Sequence, residues 1–303
     1  MKVRSLFVLA AAFTLAAPLF AQPRGVRAPH TFGNEVRIQG YLFGNFFQAT
    51  NPRNEEDVTA FGAEYRAAYR PWTTPTDLYA HVDYINYDDP RRRDSYGGRL
   101  GVAYNGEIHA LNAYVDRAEN RATFDVGDVT ATANVTTLGA DYSFRVTPNW
   151  QLGALGEHQV QRFSVRTGQE NTYDALGANV RYRGFGRKFS PEVGYVTGTR
   201  DVDDPNESYD DDYWYVQLAF APLDKWNARV RFRDRTRSYT TNAITARNFG
   251  REDNRLQWMG AVDYRMTRRL TLTGYYTMED VDTTRLGGDF DTSMFLLGVT
   301  IGF

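Results

Sequence analysis

Apolar and polar residues alternate with a period of two along most of the chain. The last segment shows the pattern: from Phe295 to Phe303 every odd position is Phe, Leu, Val or Ile, whereas positions 298, 300 and 302 are Gly or Thr. This is the period of a β-strand, in which successive side chains point to opposite faces. No segment sustains the 3.6-residue period of a helix. The pattern therefore predicts an all-β chain.

Fourteen segments carry this alternation, and a total of 12–16 strands is compatible with it. The segments are Glu35–Thr50, Val58–Arg70, Asp77–Tyr87, Tyr96–Asn105, Glu107–Val115, Val135–Thr147, Trp150–Val165, Thr172–Arg183, Phe189–Arg200, Tyr213–Ala221, Trp226–Tyr239, Arg255–Met266, Leu270–Met278 and Phe290–Phe303.

The connections between these segments alternate in length. Short ones include Asn105-Gly106, a dipeptide that favours a tight hairpin, and Thr147–Asn149. Longer polar ones lie between them, among them Asp116–Asn134, Asp201–Asp212, Thr240–Asn254 and Glu279–Asp289. Alternating lengths predict a transmembrane antiparallel up-and-down β-barrel of about 14 strands, with short periplasmic turns and longer extracellular loops.

The width of such a barrel decides where its two faces go. Side chains do not fill the bore of a fourteen-stranded barrel, so the polar face is expected to meet water in the lumen and the apolar face to meet lipid. Aromatic residues cluster at the strand ends beside the short turns, which predicts an interfacial girdle. They are Tyr69, Trp72, Trp150, Trp226, Tyr264 and Phe303.

The first 21 residues have the features of a signal peptide. Met1–Arg4 carries two positive charges, Ser5–Phe20 is an apolar run, and Ala21-Gln22 is a suitable cleavage site. Residues 22–34 are then expected to form a periplasmic tail, and residues 35–303 the barrel. No later run approaches the roughly 20 apolar residues that a transmembrane helix needs.

The composition excludes several classes of function. The absence of cysteine excludes disulfides, thiolate metal sites, iron–sulfur clusters and c-type haem attachment. The net charge of −2 gives no electrostatic reason to bind nucleic acid. No zinc-ligand spacing or phosphate-binding loop is present, so we expect no cofactor, no metal and no nucleic-acid partner.

The end of the chain, "MFLLGVTIGF", resembles the C-terminal strand of Gram-negative outer-membrane β-barrels. Val299, Ile301 and the terminal Phe303 carry the resemblance. It implies a location in the cell outer membrane, contact with its lipid and lipopolysaccharide, and recognition by the barrel-assembly machinery. In size and strand count the chain resembles the fourteen-stranded monomeric porins of the OmpG type, although it shares no motif with them. A more distant resemblance is to the MtrB/PioB barrels that sheathe electron-transfer cytochromes.

One segment, "NARVRFRDRTR", places arginine at every second position from Arg229 to Arg237. An arginine facing lipid at mid-depth costs about 2–4 kcal/mol, so the row must face water. The intervening Trp226, Ala228, Val230 and Phe232 would then face lipid, and Arg229, Arg231 and Arg233 are predicted to line the pore. Asp234 interrupts the apolar row, which predicts that the strand bulges or leaves the bilayer there and leaves Arg235 and Arg237 open.

Other charged residues have the same predicted inward phase. The predicted pore-lining set also includes Glu64, Arg66, Asp83, Asp141, Arg145, Arg181 and Arg183. Carboxylates that could oppose the arginines, as in general porins, are Glu64, Asp83, Asp141, Glu157 and Glu192. The loop Asp116–Asn134 is the best candidate to fold inward. The acidic segments Asp201–Asp212 and Glu279–Asp282 are expected to be solvated extracellular loops.

These features favour a porin-like channel for passive diffusion of small hydrophilic solutes, with a bias towards anions. The alternative is a barrel that does not transport: a scaffold, an adhesin, or a sheath for a partner such as an electron-transfer protein. An enzyme is not expected. His81 and Asp83 share a strand face, as do the His–Asp pairs of omptin-type barrel proteases, but a hydrogen-bonded lumen pair accounts for them. The sequence leaves the solute and the oligomeric state open.

Overall fold

The chain forms one closed barrel of fourteen antiparallel strands, which confirms the all-β fold predicted from the alternation. A computed structural model describes residues 31–44, 57–89, 93–122, 132–163, 170–184, 188–203, 206–242, 244–246, 248–284 and 289–303. The expected signal peptide, residues 1–21, and residues 22–30 of the expected tail lie outside the described residues. The strands are β1 Thr31–Gly44, β2 Val58–Arg70, β3 Thr76–Tyr87, β4 Ser95–Asn105, β5 His109–Ala122, β6 Thr132–Arg145, β7 Trp150–Phe163, β8 Glu170–Tyr182, β9 Phe189–Val202, β10 Tyr209–Leu223, β11 Trp226–Tyr239, β12 Glu252–Arg265, β13 Leu270–Thr283 and β14 Phe290–Gly302.

The strand order is that of an up-and-down meander. Each strand pairs with its neighbours in sequence, and β1 pairs with β14 from Glu35–Gly302 to Gly44–Ser293 to close the ring. Among the residues described, no helix is long and apolar enough to cross a membrane.

Two expectations about the periplasmic end need correction. Strand β1 begins at Thr31, so residues 31–34 belong to the barrel rather than to the tail. The hairpin predicted at Asn105-Gly106 is present, since Asn105 pairs with Ala110, but its turn is not the two-residue type, because neither residue has the positive φ that such a turn requires. Residues 106–108 connect β4 to β5 instead.

At the other end the strands are longer than the sequence pattern predicts. Strand β5 continues to Ala122, β9 to Val202 and β13 to Thr283, while β10 begins at Tyr209 and β12 at Glu252. Much of the expected loops, including the one expected to fold inward, is therefore strand, and residues 123–131 of that loop lie outside the described residues. The strands are longer than predicted because the backbone hydrogen bonds between neighbouring strands continue beyond the point where the outward residues stop being apolar.

The outward face carries an apolar belt. Leu176 is 69% exposed and Leu100 is 63% exposed, which is stable only if these side chains meet lipid. Many polar inward residues are covered by their neighbours, whereas the sequence pattern predicts an inward polar face that meets water in the lumen. Outward carboxylates such as Asp210 and Asp234 appear only towards the long-loop end, where the belt stops.

Aromatic residues mark both edges of the belt. At the short-turn edge Trp150 packs on Tyr182 with ring centroids 4.8 Å apart, and Trp226 packs on Tyr264 at 4.6 Å. At the long-loop edge outward tyrosine hydroxyls donate to carboxylates, for example Tyr195 to Asp212 over 2.9 Å. Rings that face lipid with hydroxyls that face polar groups are typical of a membrane interface.

Candidate functional site

All five arginines of β11 point into the lumen. Strand β11 pairs with β12 without interruption from Trp226 to Ser238, and with β10 without interruption from Ala228 to Tyr239. A bulge at Asp234, one of the two expected alternatives, is therefore absent, and Arg235 and Arg237 keep the inward phase of Arg229. The other alternative, that the strand leaves the bilayer there, agrees with the outward residues beyond Asp234, which are polar. Asp234 stays on the outward face, opposite Trp214 and Leu256, where the apolar belt ends.

Tyrosines of the neighbouring strand β10 support the arginine side chains. The guanidinium of Arg231 lies 4.0 Å from the ring centroid of Tyr215, and that of Arg237 lies 4.1 Å from the ring of Tyr209. Arg233 and Arg235 lie 5.3 and 5.8 Å from the ring of Tyr213. Such stacking of a cation on an aromatic ring is attractive, and it holds the guanidinium groups against the barrel wall.

Carboxylates neutralise only part of this row. Arg235 donates from two of its nitrogens to Asp211, and Arg233 Nη2 lies 3.5 Å from Glu279 Oε1. We call the inward faces of β10–β13 the arginine wall. Its charged members are seven arginines and four carboxylates. They are Arg229, Arg231, Arg233, Arg235, Arg237, Arg255 and Arg265, with Asp211, Asp253, Asp263 and Glu279.

An acidic wall lies across the lumen. In a ring of fourteen strands the seventh neighbour is the opposite one, so β3–β6 face β10–β13. Among the side chains that the structure describes on these strands, the inward faces of β3–β6 carry four carboxylates and two arginines, besides His81. They are Asp77, Asp83, Asp116 and Asp141, with Arg99 and Arg145. The two walls therefore have opposite charge excess.

Of the predicted opposing carboxylates, two lie on the acidic wall. Asp83 is on β3, and Asp141 is on β6, where it accepts a hydrogen bond from Asn112 Nδ2 over 3.2 Å. Arg145 lies on the same wall at the short-turn end of β6, whereas Arg99 lies on β4, where it donates to Asp116 over 2.9 Å.

Glu64 and Arg66 form a separate inward cluster on β1–β3. Glu64 contacts Arg66, and its Oε2 lies 3.6 Å from Arg37 Nη1. His81 Nε2 lies 2.6 Å from Glu64 Oε1. The partner of His81 is thus Glu64 rather than the predicted Asp83. Glu64 is surrounded by cations and contributes little negative field to the lumen.

The remaining predicted residues lie beside the arginine wall or at its end. Glu192 is on β9, two strands from β11, where it pairs with Arg181 and accepts a hydrogen bond from Tyr215 over 2.7 Å. It is therefore a neighbour of the row and not its opposite. Glu157 faces the lumen from β7. Arg183 follows the end of β8, and its backbone N–H donates to Asn149 O, so it lies in the turn region.

The C-terminal residues of the predicted assembly signal lie at the seam of the barrel. Val299 and Ile301 face outward from β14 beside β1. Phe303 follows the strand, and its N–H donates to Asn34 O over 3.0 Å. In the described ranges, no group of three or more acidic or histidine side chains is arranged to hold a metal ion.

Gly194 is a point on which the geometry of the arginine row depends. A Cβ at this position of β9 would overlap the ring of Tyr215. That ring stacks on the guanidinium of Arg231, and its hydroxyl donates a hydrogen bond to Glu192. We expect Gly194→Ala to lower the free energy of unfolding by about 1–3 kcal/mol, the usual cost of overpacking. Urea titration of the folded barrel measures this. Gly260→Ala is the matched control, because nothing lies within 4 Å of its Cβ position; equal effects of the two changes would contradict the expectation.

The chain was compared with protein families, curated sequences and solved structures. No family model and no curated protein matches it. It is similar to a mutant of the TodX monoaromatic hydrocarbon channel, with a TM-score of 0.54, 9% identity and 91% of this chain and 90% of that chain covered. It is also similar to a bacterial polysaccharide outer membrane secretin, with a TM-score of 0.51, 10% identity and coverage of 89% and 98%. A loop-deletion mutant of OmpT, an outer membrane protein of Vibrio cholerae, gives 0.49, 11% and coverage of 90% and 98%.

At these identities the similarity shows the fold. The fold is that of a porin-like outer-membrane β-barrel, as the sequence predicted, and one of the similar structures is a channel. The closed ring and its apolar belt place the chain in the outer membrane.

Proposed function

We propose that this barrel is a passive diffusion channel for small hydrophilic solutes and that it prefers anions. The observation that carries the proposal is the excess of arginine on β10–β13, facing an excess of carboxylate on β3–β6. Charges of opposite sign on opposite walls create a field across the lumen. Such a field orients polar solutes and concentrates anions beside the arginines.

The reach of this field depends on salt. The Debye length is about 10 Å at 0.1 M and about 3 Å at 1 M ionic strength. In dilute salt a permeating ion anywhere near the wall senses the arginines, whereas in concentrated salt only ions in contact with them do. The preference for chloride over potassium should therefore be larger in dilute than in concentrated KCl.

Planar-bilayer recording tests the proposal. Purified protein should give discrete conductance steps, and the reversal potential in a KCl gradient should indicate anion preference. Changing Arg229, Arg231 and Arg233 together to glutamine removes three of the seven positive charges of the arginine wall and leaves its carboxylates in place. We expect the permeability ratio of chloride to potassium to fall by about threefold or more in 0.1 M salt, because unscreened charge lies within one Debye length of the path.

Arg162→Gln is the control for this experiment. Arg162 is an exposed arginine on the outward face of β7, where it pairs with Glu170 over 2.6 Å. Its loss should leave the reversal potential unchanged. The absence of conductance steps would refute a channel, and an unchanged selectivity in the triple variant would refute the role of the arginines.

A non-transporting barrel is the second candidate, and one observation favours it. Towards the long-loop end several charged side chains of the arginine wall are almost fully covered: Arg237 is 0% exposed and Arg255 is 1% exposed. A lumen wall whose charged side chains are this closely covered suits a scaffold or a sheath as well as a selective channel. Reproducible insertion into bilayers without conductance would favour this candidate.

A further inference from the structure

Two arginines face each other towards the long-loop end of the arginine wall. Arg235 of β11 lies directly opposite Arg255 of β12, and Arg233 and Arg237 lie one inward position to either side of Arg235. Same-face neighbours along a strand stand roughly 6.6–6.8 Å apart, and like charges directly opposite in a sheet destabilise it. With Arg251, five arginines meet Asp211, Asp253 and Glu279 here.

The carboxylates do not serve all of these arginines equally. Asp211 binds Arg235 through both its oxygens, and Asp253 binds Arg251 through two hydrogen bonds of 2.8 and 2.9 Å. Arg255 comes no closer than 3.8 Å to Asp253 and 3.9 Å to Glu279. These separations are longer than a hydrogen bond.

Buried donors are therefore left over. In the part of the chain that the structure describes, Nε, Nη1 and Nη2 of Arg255 are buried and donate no hydrogen bond, and the same holds for Nε and Nη2 of Arg233. A buried charged donor without an acceptor is strongly unfavourable. Both side chains project from the inward face, on adjacent strands, and both approach Glu279.

We propose that Arg233 and Arg255 form a binding site for a tetrahedral oxyanion, of the kind presented by inorganic phosphate, sulfate or a phosphate ester. A guanidinium has planar, forked donors that match the oxygens of such an anion. Two guanidinium groups from neighbouring strands would supply donors to several oxygens at once. The anion would also offset the local excess of positive charge.

This inference deepens the proposed function, because it names the class of anion that the channel would take. It rests on the proposed function in one respect, because the channel would be the route by which the anion reaches the site. Binding itself does not require conduction. Glu279 competes with the anion for both arginines, which makes the site sensitive to one carboxylate.

Equilibrium binding of ³²P-labelled inorganic phosphate to the full, folded barrel in detergent tests the site. We expect saturable binding that unlabelled phosphate and sulfate displace and that chloride at equal ionic strength does not. Arg255→Gln should weaken binding at least about tenfold, because a guanidinium–oxyanion contact is charge-assisted and desolvated. Glu279→Gln should strengthen it about tenfold, because it removes a nearby negative charge at low effective dielectric.

Arg162→Gln, on the outward face, is the control and should bind phosphate as the wild type does. Heat-dependent gel mobility verifies that each variant is folded. If Arg255→Gln does not fold, Glu279→Gln carries the test, and an unchanged or weaker affinity in that variant overturns the site. Displacement by chloride as effective as by sulfate also overturns it, since it would show that the arginines act only as diffuse charge.

Competition by glucose 6-phosphate shows whether the site accepts a phosphorylated solute or only the free anion. Either result supports a site for a tetrahedral oxyanion. Conductance measured on the same preparation separates the two proposals. Binding without conductance refutes the channel and leaves the site, whereas anion-selective conductance without binding refutes the site and leaves the channel.

Discussion

Asp211→Ala is expected to lower the free energy of unfolding by about 3–5 kcal/mol, the usual consequence of removing one partner of a buried ion pair. Asp211 is 0% exposed and receives two hydrogen bonds from Arg235 and a third, of 3.0 Å, from the hydroxyl of Tyr173. Without it, Arg235 would keep its charge in a covered position between Arg233 and Arg237. Repulsion along the row would then increase, because the carboxylate that hydrogen-bonds Arg235 would be gone.

Urea titration of the folded barrel, followed by tryptophan fluorescence, measures the loss. Asp212→Ala is the matched control: it removes the same side chain one residue along, from the outward face, where Asp212 accepts a single hydrogen bond from Tyr195. The control should cost about 1 kcal/mol, the net contribution of an ordinary hydrogen bond. The double change Asp211→Ala with Arg235→Met should recover most of the loss, because it removes the buried charge together with its partner. Equal losses for Asp211→Ala and Asp212→Ala would contradict the role of the pair.

Asp211 also lies at a strand end that the sequence pattern does not predict. The barrel could be predicted because lipid imposes a strict alternation on the outward residues, and that alternation fixes the phase of the inward ones. The apolar neighbours Val230 and Phe232 give Arg229, Arg231 and Arg233 the inward phase in this way.

The carboxylates that bind the arginines were not found, because they lie beyond the apolar belt. Asp211, Asp253 and Glu279 all fall in segments predicted as loops. Most of their outward neighbours are polar, for example Asp210 and Asp212, so hydrophobicity no longer alternates although the strand continues. The inward or outward direction of these residues could still be counted along the same strand from its apolar part. This count holds only if the strand is known to contain no bulge.

The opposition of the two walls depends on a longer chain of inference. Whether Asp83 faces the arginines or stands beside them depends on the number of strands between β3 and β11 and on the total in the ring. If the barrel had two strands more or fewer, as the sequence pattern allows, the acidic wall would no longer lie opposite the arginine wall. Local alternation carries no information about that total, so the predicted set mixed opposite residues such as Asp141 with neighbours such as Glu192.

Leu297→Arg is expected to destabilise the barrel in a lipid bilayer by about 2–4 kcal/mol, the cost of arginine on a lipid-facing position at mid-depth. Leu297 is 59% exposed on the outward face of β14, between the outward Phe295 and Val299, and its cross-strand partners are Gly40 and Gly274. With glycine on both sides, neither cross-strand partner offers a side chain that could bind the new guanidinium.

The adjacent Leu296 makes a matched comparison with the same residue type and the same substitution. Leu296 is half-buried on the inward face, opposite Tyr41 and Tyr275. Leu296→Arg should cost less than Leu297→Arg, because its guanidinium can reach the water of the lumen and stack on a tyrosine ring. Urea titration in lipid vesicles, read by heat-dependent gel mobility, compares the two without the cellular assembly machinery. A larger loss for Leu296→Arg would mean that the two faces of β14 are exchanged, and with them the inward phase of every strand joined to it around the ring, including the arginine row of β11.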